Sequence, residues 1–361
     1  MSSPELGYQI ESRNQRYRRE LEDYFREWLV EQYAERAAVR WRREYGSVTA
    51  YEASVAPMRE EWRALLNPPE LVSTGPLQAA PCRIPGAPRA EWVRVSLGRI
   101  SAEAILALPE DRNGPFPLII AQHGIGSSPE KVFGLEDEQN LYHSYGLSLL
   151  RAGYAVLAPF NLAQNDPRGR ITRLAHLAGT TLLGLELVRV QRLLDALSQH
   201  PELDPARIGM WGLSLGGLAT QLWTPLEPRI RVAITAAFFN HRQNKMVIPD
   251  PRYSCFLDTK EEHAFLHGWL TAFADEDLLS LICPRPLMVQ HGKADGIAWW
   301  PQLEESFARL QEHYRRLGLE SRVALDLHEG GHEIRTETGL NWLDRFLRSS
   351  DPAGAAAGGG Q

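Results

Sequence analysis

The sequence contains little cysteine and no long apolar run. Among its 361 residues there are three cysteines, Cys82, Cys255 and Cys283, at long and irregular spacing. This pattern indicates neither a disulfide framework nor a paired-thiolate metal site. No run of about 18 apolar residues occurs, and the opening MSSPELGYQIESRNQRYRRE lacks the apolar core of a signal peptide. We therefore expect a soluble, cytoplasmic protein that does not enter a membrane.

An excess of basic residues is also absent. The formal net charge is −6 at pH 7, and arginines near the N-terminus alternate with acidic residues at helical spacing, which is typical of a solvated helix face. Because nucleic-acid binding usually shows a basic face, no nucleic-acid partner is expected. The hydrophobic content of 43% and charged content of 23% are those of an ordinary folded protein.

Three regions are predicted along the chain. Residues 1–75 form a helical segment, because apolar residues recur there every three or four positions: Leu21, Tyr24, Phe25, Trp28, Leu29 and Tyr33. This segment is expected to pack against the main domain; a cap, a substrate wall or a dimer surface are the alternatives. Residues 76–349 form the catalytic domain, and the low-complexity residues 350–361 are predicted to be a disordered tail.

From Pro117 onward, strand-like runs alternate with helical patterns. The runs PLIIAQ, YAVLAP, RIGMW, VAITAAF, PLMVQH and VALDLH are separated by amphipathic stretches. Such alternation indicates βαβ units. The predicted α/β fold has a mostly parallel central sheet of about eight strands with helices on both faces, plus the N-terminal helical segment. A Pro- and Gly-rich stretch, residues 67–88, is expected to link the two parts.

A Gly-x-Ser-x-Gly motif is the strongest chemical indication. It reads Gly212-Leu213-Ser214-Leu215-Gly216, and it lies between the strand-like RIGMW and a helix-forming run. A sharp strand-to-helix turn presents the serine hydroxyl above the sheet, and Gly212 and Gly216 avoid collisions across that turn. Ser214 is therefore the predicted nucleophile, and the backbone N–H of Leu215 is a predicted oxyanion donor.

An acid and a base follow at later strand ends. Asp295 lies in HGKADG directly after PLMVQ, and His332 lies in HEGGHE directly after VALDL. This is the Ser–Asp–His order of a catalytic triad on such a sheet. His332 is predicted to take the serine proton, while Asp295 fixes the imidazole tautomer.

A histidine–glycine loop follows the earlier strand PLIIAQ. It reads His123-Gly124-Ile125-Gly126. We assign the second oxyanion donor to the backbone N–H of Ile125, with glycine neighbours that permit close approach. His123 and Gly124 are predicted to support this loop.

Two hypotheses of other classes compete with a serine hydrolase. Residues 328–332, HEGGH, match the zinc-protease pattern, but that pattern requires a helix, and two adjacent glycines favour a loop. No metal ligand is therefore assigned. A non-catalytic homologue that binds a small ligand in the same cleft is the other alternative; the presence of all three triad residues favours catalysis.

The chain resembles the dienelactone hydrolase and acetyl xylan esterase branch of the α/β-hydrolases. The matching stretches are HPELDPARIGMWGLSLGG, ICPRPLMVQHGKADGI and HEGGHEI, within residues 90–348. The resemblance implies an α/β-hydrolase fold, a small-molecule ester substrate, an acyl-serine intermediate and no cofactor. Dienelactone hydrolases proper carry cysteine at the position of Ser214, which favours ordinary esters here.

Other substrates and assemblies stay open at this point. A serine peptidase or amidase and a lactonase on the same fold are alternatives. Prolyl oligopeptidases share similar elbows, but no propeller-sized β-rich region precedes this domain. We expect residues 160–179 and 238–283 to form the substrate pocket at the carboxyl ends of the strands. The arginine- and aromatic-rich N-terminal helices are compatible with a homodimer.

Overall fold

A computed structural model describes residues 3–348. The predicted tail at residues 350–361 lies outside this range. The helices are α1 Ser3–Arg26, α2 Tyr33–Arg40, α3 Val48–Leu66, α4 Tyr145–Ala152, α5 Asn165–Leu177, α6 Leu182–Leu197, α7 Leu215–Trp223, α8 Arg242–Val247, α9 Asp275–Ser280, α10 Trp300–Arg316 and α11 Thr336–Leu343. Short 3₁₀ segments are Pro129–Phe133, Thr224–Leu226, Phe256–Asp258, Glu262–Ala264, Trp269–Thr271 and Glu320–Arg322, and π segments are Glu27–Glu31 and Asp344–Arg348.

Within residues 3–348 the strands form one nine-stranded sheet. They are β1 Gln78–Pro81, β2 Ala90–Leu97, β3 Ile100–Ala107, β4 Phe116–Gln122, β5 Ala155–Pro159, β6 Leu203–Leu213, β7 Ile230–Ala236, β8 Leu287–Gly292 and β9 Val323–His328. Their order is β1-β2-β3-β5-β4-β6-β7-β8-β9. Strands from β5 to β9 along this order are parallel, whereas β1, β2 and β3 pair antiparallel. The mostly parallel sheet predicted from the sequence is therefore confirmed.

The sheet has one strand more than the predicted eight or so. The additional strand β1 lies inside residues 67–88, the predicted linker, and all four of its residues are exposed. Its sequence QAAP has no alternation of apolar and polar residues, and proline is tolerated at a sheet edge. Only its pairing with β2 makes it a strand.

Helices cover both faces of the sheet. Successive residues of β4 point to opposite sides: Leu118 and Ile120 belong to one apolar core, and Ile119 belongs to the other. The first core lies under α3, α6, α7, α9 and α10, and the second lies under α4 and α11. Burial on both faces explains why the central strands read as continuous apolar runs.

Helix α3 is part of the main core. The Ser47 side chain caps its N-terminus by accepting a hydrogen bond from the Ala50 N–H at 3.0 Å. Its buried face consists of Tyr51, Val55, Met58, Trp62 and Leu66. The Trp62 indole donates to the carbonyl of Leu222, at the end of α7. This part of the N-terminal segment thus packs on the main domain.

No helix within residues 3–348 is long and apolar enough to cross a membrane. The cytoplasmic location stays a prediction.

Candidate active site

Ser214 occupies the sharp turn between β6 and α7. Its φ of 58° and ψ of −118° lie in a region that side-chain-bearing residues rarely adopt. The Ser214 N–H donates to the carbonyl of Ala236, the last residue of β7, at 2.9 Å, and the carbonyl of Ser214 accepts from Leu218. These two hydrogen bonds hold the strained turn in place. The half-buried hydroxyl therefore stands at the N-terminus of α7.

The two glycines of the motif lie too close to other backbone for any side chain. A Cβ at Gly212 would lie 2.1 Å from the carbonyl oxygen of Gly216, and a Cβ at Gly216 would lie 2.0 Å from that of Gln122. These contacts bring the turn against the end of β4. The predicted role of Gly212 and Gly216 as the glycines that permit the elbow is consistent with this geometry.

Gly216→Ala is expected to destabilise the fold, because its methyl group would collide with rigid backbone of β4. We expect the free energy of unfolding to fall by about 3 kcal/mol or more. Chemical denaturation of the variant and of Gly46→Ala measures this. A Cβ at Gly46 meets no atom within 4 Å, so that control should retain the wild-type midpoint. Equal midpoints for both variants would contradict the geometry.

The histidine–glycine loop lies directly beside the elbow. A Cβ at Gly124 would be 3.2 Å from the Ser214 Cβ and 3.2 Å from the Tyr142 hydroxyl oxygen. The Gly124 N–H donates to that hydroxyl at 2.7 Å. Gly124 therefore sits between Ser214 and the buried Tyr142, and the structure brings together the two segments that the sequence predicted to form the oxyanion hole.

His123 is buried and neutral. Burial lowers its pKa to about 4, although its bond to the carbonyl of Gly124 acts in the opposite direction. Its Nε2 accepts from the Asn161 N–H at 3.2 Å, so Nδ1 carries the proton and donates to Gly124 at 3.0 Å. These contacts tie β4 to the end of β5 and support the role of His123 in holding the loop.

The two predicted oxyanion donors have no hydrogen-bond partner among the described residues. Within the described part of the chain, the backbone N–H groups of Leu215 and Ile125 make no hydrogen bond. Leu215 is the first residue of α7, whose dipole is positive at this end. The positive end of α7 therefore favours a negative charge beside Leu215.

Asp295 and His332 are in direct contact. His332 Nδ1 lies 2.8 Å from Asp295 Oδ2, and the second carboxylate oxygen accepts from the Ile297 N–H at 2.9 Å. Burial by itself raises the pKa of Asp295. The hydrogen bond to His332, its electrostatic interaction with that ring and the hydrogen bond from the Ile297 N–H outweigh the effect of burial and hold the pKa of Asp295 below its ordinary value. Asp295 is thus an anion buried against the imidazole.

The loops that carry Asp295 and His332 are joined backbone to backbone. The Lys293 N–H donates to the carbonyl of His328 at 2.7 Å, and the Ala294 N–H donates to that of Gly330 at 3.0 Å. A Cβ at Gly292 would lie 2.2 Å from the carbonyl oxygens of the facing loop. The loops after the neighbouring strands β8 and β9 lie directly against each other. This contact explains how Asp295 and His332 meet although they are far apart in sequence.

The HEGGH segment is not helical. Strand β9 ends at His328, and residues 329–335 form an irregular loop before α11. The Gly330 N–H donates to His328 Nδ1 at 3.1 Å, while His332 turns to Asp295. The backbone therefore lacks the helix on which the zinc-protease pattern depends.

Lys245 is a buried cation beside residues 293–299, the acid loop that carries Asp295, and it belongs to no motif in the sequence. It is 2% exposed. Its ammonium donates to the Ser254 hydroxyl at 2.6 Å, to the Ile297 carbonyl at 2.7 Å and to the Ser254 carbonyl. Since Ile297 in turn donates to Asp295, Lys245 fastens the acid loop to α8. The acceptors lie 9 and 52 positions away in sequence, so no local pattern reveals this arrangement.

Lys245→Met is expected to lower kcat by about 10- to 100-fold, because the acid loop loses its anchor and a small misplacement of catalytic groups is costly. Burial lowers the pKa of Lys245 to about 8; Arg242 acts in the same direction, whereas Glu261 and Asp295 oppose it. The wild-type rate should therefore decline above pH 8, as the ammonium loses its proton.

Lys245→Arg keeps the charge at high pH, so its rate should decline less there. Lys260→Met, a change at an exposed lysine, is the control and should leave the pH profile unchanged. Identical profiles for all four proteins would contradict the role of Lys245.

The two segments predicted to form the substrate pocket contact each other. Helix α5 lies within residues 160–179, and its Arg173 pairs with Glu262 of the segment 238–283 at 2.9 Å. Burial raises the pKa of the neighbouring Glu261, although the positive charges of Lys245 and Arg168 act in the opposite direction. The two segments named from the sequence are thus in contact with each other.

The chain is similar to known hydrolases. The prolyl oligopeptidase family matches residues 187–348, less than half of the chain. YtaP of Bacillus subtilis (strain 168), named as a hydrolase, is 26% identical over 196 residues, which are 52% of this chain and 64% of YtaP. The chain thus matches less than two thirds of that relative.

Solved structures resemble most of the chain. A protein from Bacteroides fragilis described as an acetyl xylan esterase has a TM-score of 0.68 at 16% identity, over 88% of this chain and 94% of its own. A glucuronoyl esterase from Caldicellulosiruptor kristjansonii has a TM-score of 0.59 at 18% identity, over 84% of this chain and 87% of its own. The α/β-hydrolase fold predicted from the sequence is confirmed.

Proposed function

We propose that this chain hydrolyses small-molecule carboxylic esters through an acyl-serine intermediate. The observation that carries the proposal is the bond between His332 and Asp295 at the same sheet edge as the strained Ser214. The hydrolase matches and esterase neighbours favour the same class of reaction.

The first half of the reaction acylates the serine. Nδ1 of His332 is engaged by Asp295, which leaves Nε2 to take the proton of Ser214 as its oxygen attacks the ester carbonyl. The developing oxyanion accepts hydrogen bonds from the N–H groups of Leu215 and Ile125. His332 then gives its proton to the departing alcohol.

The second half releases the acid. Water enters, His332 removes its proton, and the hydroxide attacks the acyl group on Ser214. The same two N–H groups bind the second oxyanion. The carboxylic acid leaves as Ser214 regains its proton. The negative charge of Asp295 stabilises the imidazolium in both halves, and Lys245 keeps its loop in position.

A serine peptidase is the second candidate, because the prolyl oligopeptidase family matches the region that carries Ser214, Asp295 and His332. Peptidase and esterase share the acyl-serine step and differ in the leaving group. The geometry of the triad serves both. Only the preferred substrate therefore distinguishes a peptidase from an esterase here.

A substrate panel tests the proposal. The wild-type protein is assayed on p-nitrophenyl esters from acetate to laurate, on peptidyl p-nitroanilides and on a lactone, each with and without a metal chelator. We expect ester turnover that the chelator leaves intact, with an acyl-length optimum that measures the pocket. Faster turnover of anilides would favour the peptidase, and loss of ester turnover with chelator would contradict the proposal.

A further inference from the structure

Helix α1 stands apart from the rest of the described protein. Every residue from 4 to 26 is exposed. Its charged side chains pair with each other one turn apart, as in Arg18–Glu22 at 2.7 Å and Arg16–Glu20 at 3.5 Å. Exposed pairs of this kind stabilise a helix only slightly, and isolated helices are marginal in water. We therefore expect this 24-residue helix to be stabilised by contact with another surface.

One face of α1 carries large apolar side chains. Leu21 is 41% exposed, Tyr17 is 62% exposed and Tyr24 is 61% exposed. The same spacing of three or four residues continues towards the N-terminus through Asn14, which is polar, and Ile10, which is apolar. The resulting seam is Ile10, Asn14, Tyr17, Leu21 and Tyr24.

Such alternation of three and four is typical of the contact face of paired helices. Asn14 is the one amide side chain in this seam. The seam therefore fits another helix better than it fits a broad flat surface.

The charges of α1 and of the π segment Glu27–Glu31 that follows it indicate which partner fits and in which direction. Residues 3–19 contain four arginines and two glutamates, whereas residues 20–31 contain five acidic residues and one arginine. Two parallel copies would place like charges side by side. Two antiparallel copies place the basic half of each against the acidic half of the other. The helix is thus complementary to itself when reversed.

A membrane surface fits the helix less well. Helices that lie on membranes carry an excess of Lys and Arg on the polar face. The polar face of α1 mixes both signs: the helix contains five arginines and five acidic residues, and therefore no excess of positive charge.

We propose that α1 pairs with α1 of a second copy in an antiparallel, two-fold symmetric contact along the seam. Tyr17 of one copy then faces Leu21 of the other, and Asn14 faces Tyr24. Ile10 reaches Trp28, which is 40% exposed just beyond α1. A two-fold axis makes each contact occur twice, so one apolar patch serves both subunits. The pairing is independent of the proposed hydrolase activity.

The mass in solution is the first test. Multi-angle light scattering of the wild-type protein over a dilution series should give twice the chain mass at high concentration. Leu21→Glu should give the single-chain mass with an unchanged thermal melt, because it alters only an exposed position. Ser12→Glu adds the same charge on the opposite face of α1 and should stay dimeric. A monomeric wild type, or a dimeric Leu21→Glu, would overturn the proposal.

Cross-linking tests the direction. In a Cys82→Ser background, Asn14→Cys and Tyr24→Cys proteins are mixed and oxidised. Antiparallel pairing predicts the mixed disulfide, because two Asn14→Cys sites would lie about 15 Å apart at 1.5 Å per residue. Disulfides within each variant alone would show parallel pairing and overturn the proposal. So would a monomer whose α1 binds vesicles of anionic phospholipid.

Discussion

Ser214→Ala is expected to lower kcat/KM for a p-nitrophenyl ester by about 10⁴- to 10⁶-fold, since the acyl-enzyme cannot form without the hydroxyl. The backbone at position 214 has a positive φ, which alanine must also adopt. A thermal melt of the variant therefore accompanies the kinetics. Ser198→Ala, at the end of α6, is the matched control and should keep the wild-type rate. A loss below tenfold would mean that Ser214 is not the nucleophile.

Asp295→Asn should lower kcat by about 10⁴-fold with little effect on stability. The amide has the size of the carboxylate, but its NH₂ group can face His332 Nδ1 and favour the tautomer that cannot accept the serine proton. The variant also lacks the negative charge that stabilises the imidazolium. Steady-state kinetics on the preferred ester measures both kcat and KM.

Asp195→Asn is the isosteric control for Asp295→Asn. Asp195 pairs with Arg229 at 2.6 Å in the last turn of α6, which leads into the start of β6 at the opposite sheet edge, so its replacement should leave kcat unchanged. If Asp295→Asn keeps more than a tenth of the wild-type kcat, another group must orient His332.

The sequence predicted those parts of the fold where a strand or helix pattern stands directly beside a residue of chemical interest. The strand before Ser214 and the helix after it have distinct periodicities, so both the turn and its residue could be located. Asp295 and His332 could be placed because parallel strands end at one edge of a sheet. The two adjacent glycines of HEGGH also indicated a loop, as the structure has it.

Other features depend on contacts that a sequence does not display. Strand β1 exists only through its pairing with β2, and its own residues carry no strand pattern. Lys245 has its role through acceptors from two distant segments. The periodicity around Leu21 indicated an apolar helix face, but it could not say that α3 would reach the core while α1 would not.

Covalent labelling tests the central claim most directly. The protein is treated with a fluorophosphonate, which reacts with activated serines, and the adduct is located by peptide mass spectrometry. We expect one adduct, on Ser214, that forms in step with the loss of esterase activity, forms more slowly in Asp295→Asn and is absent in Ser214→Ala. Complete loss of activity with Ser214 unmodified, or full activity with Ser214 labelled, would contradict the account.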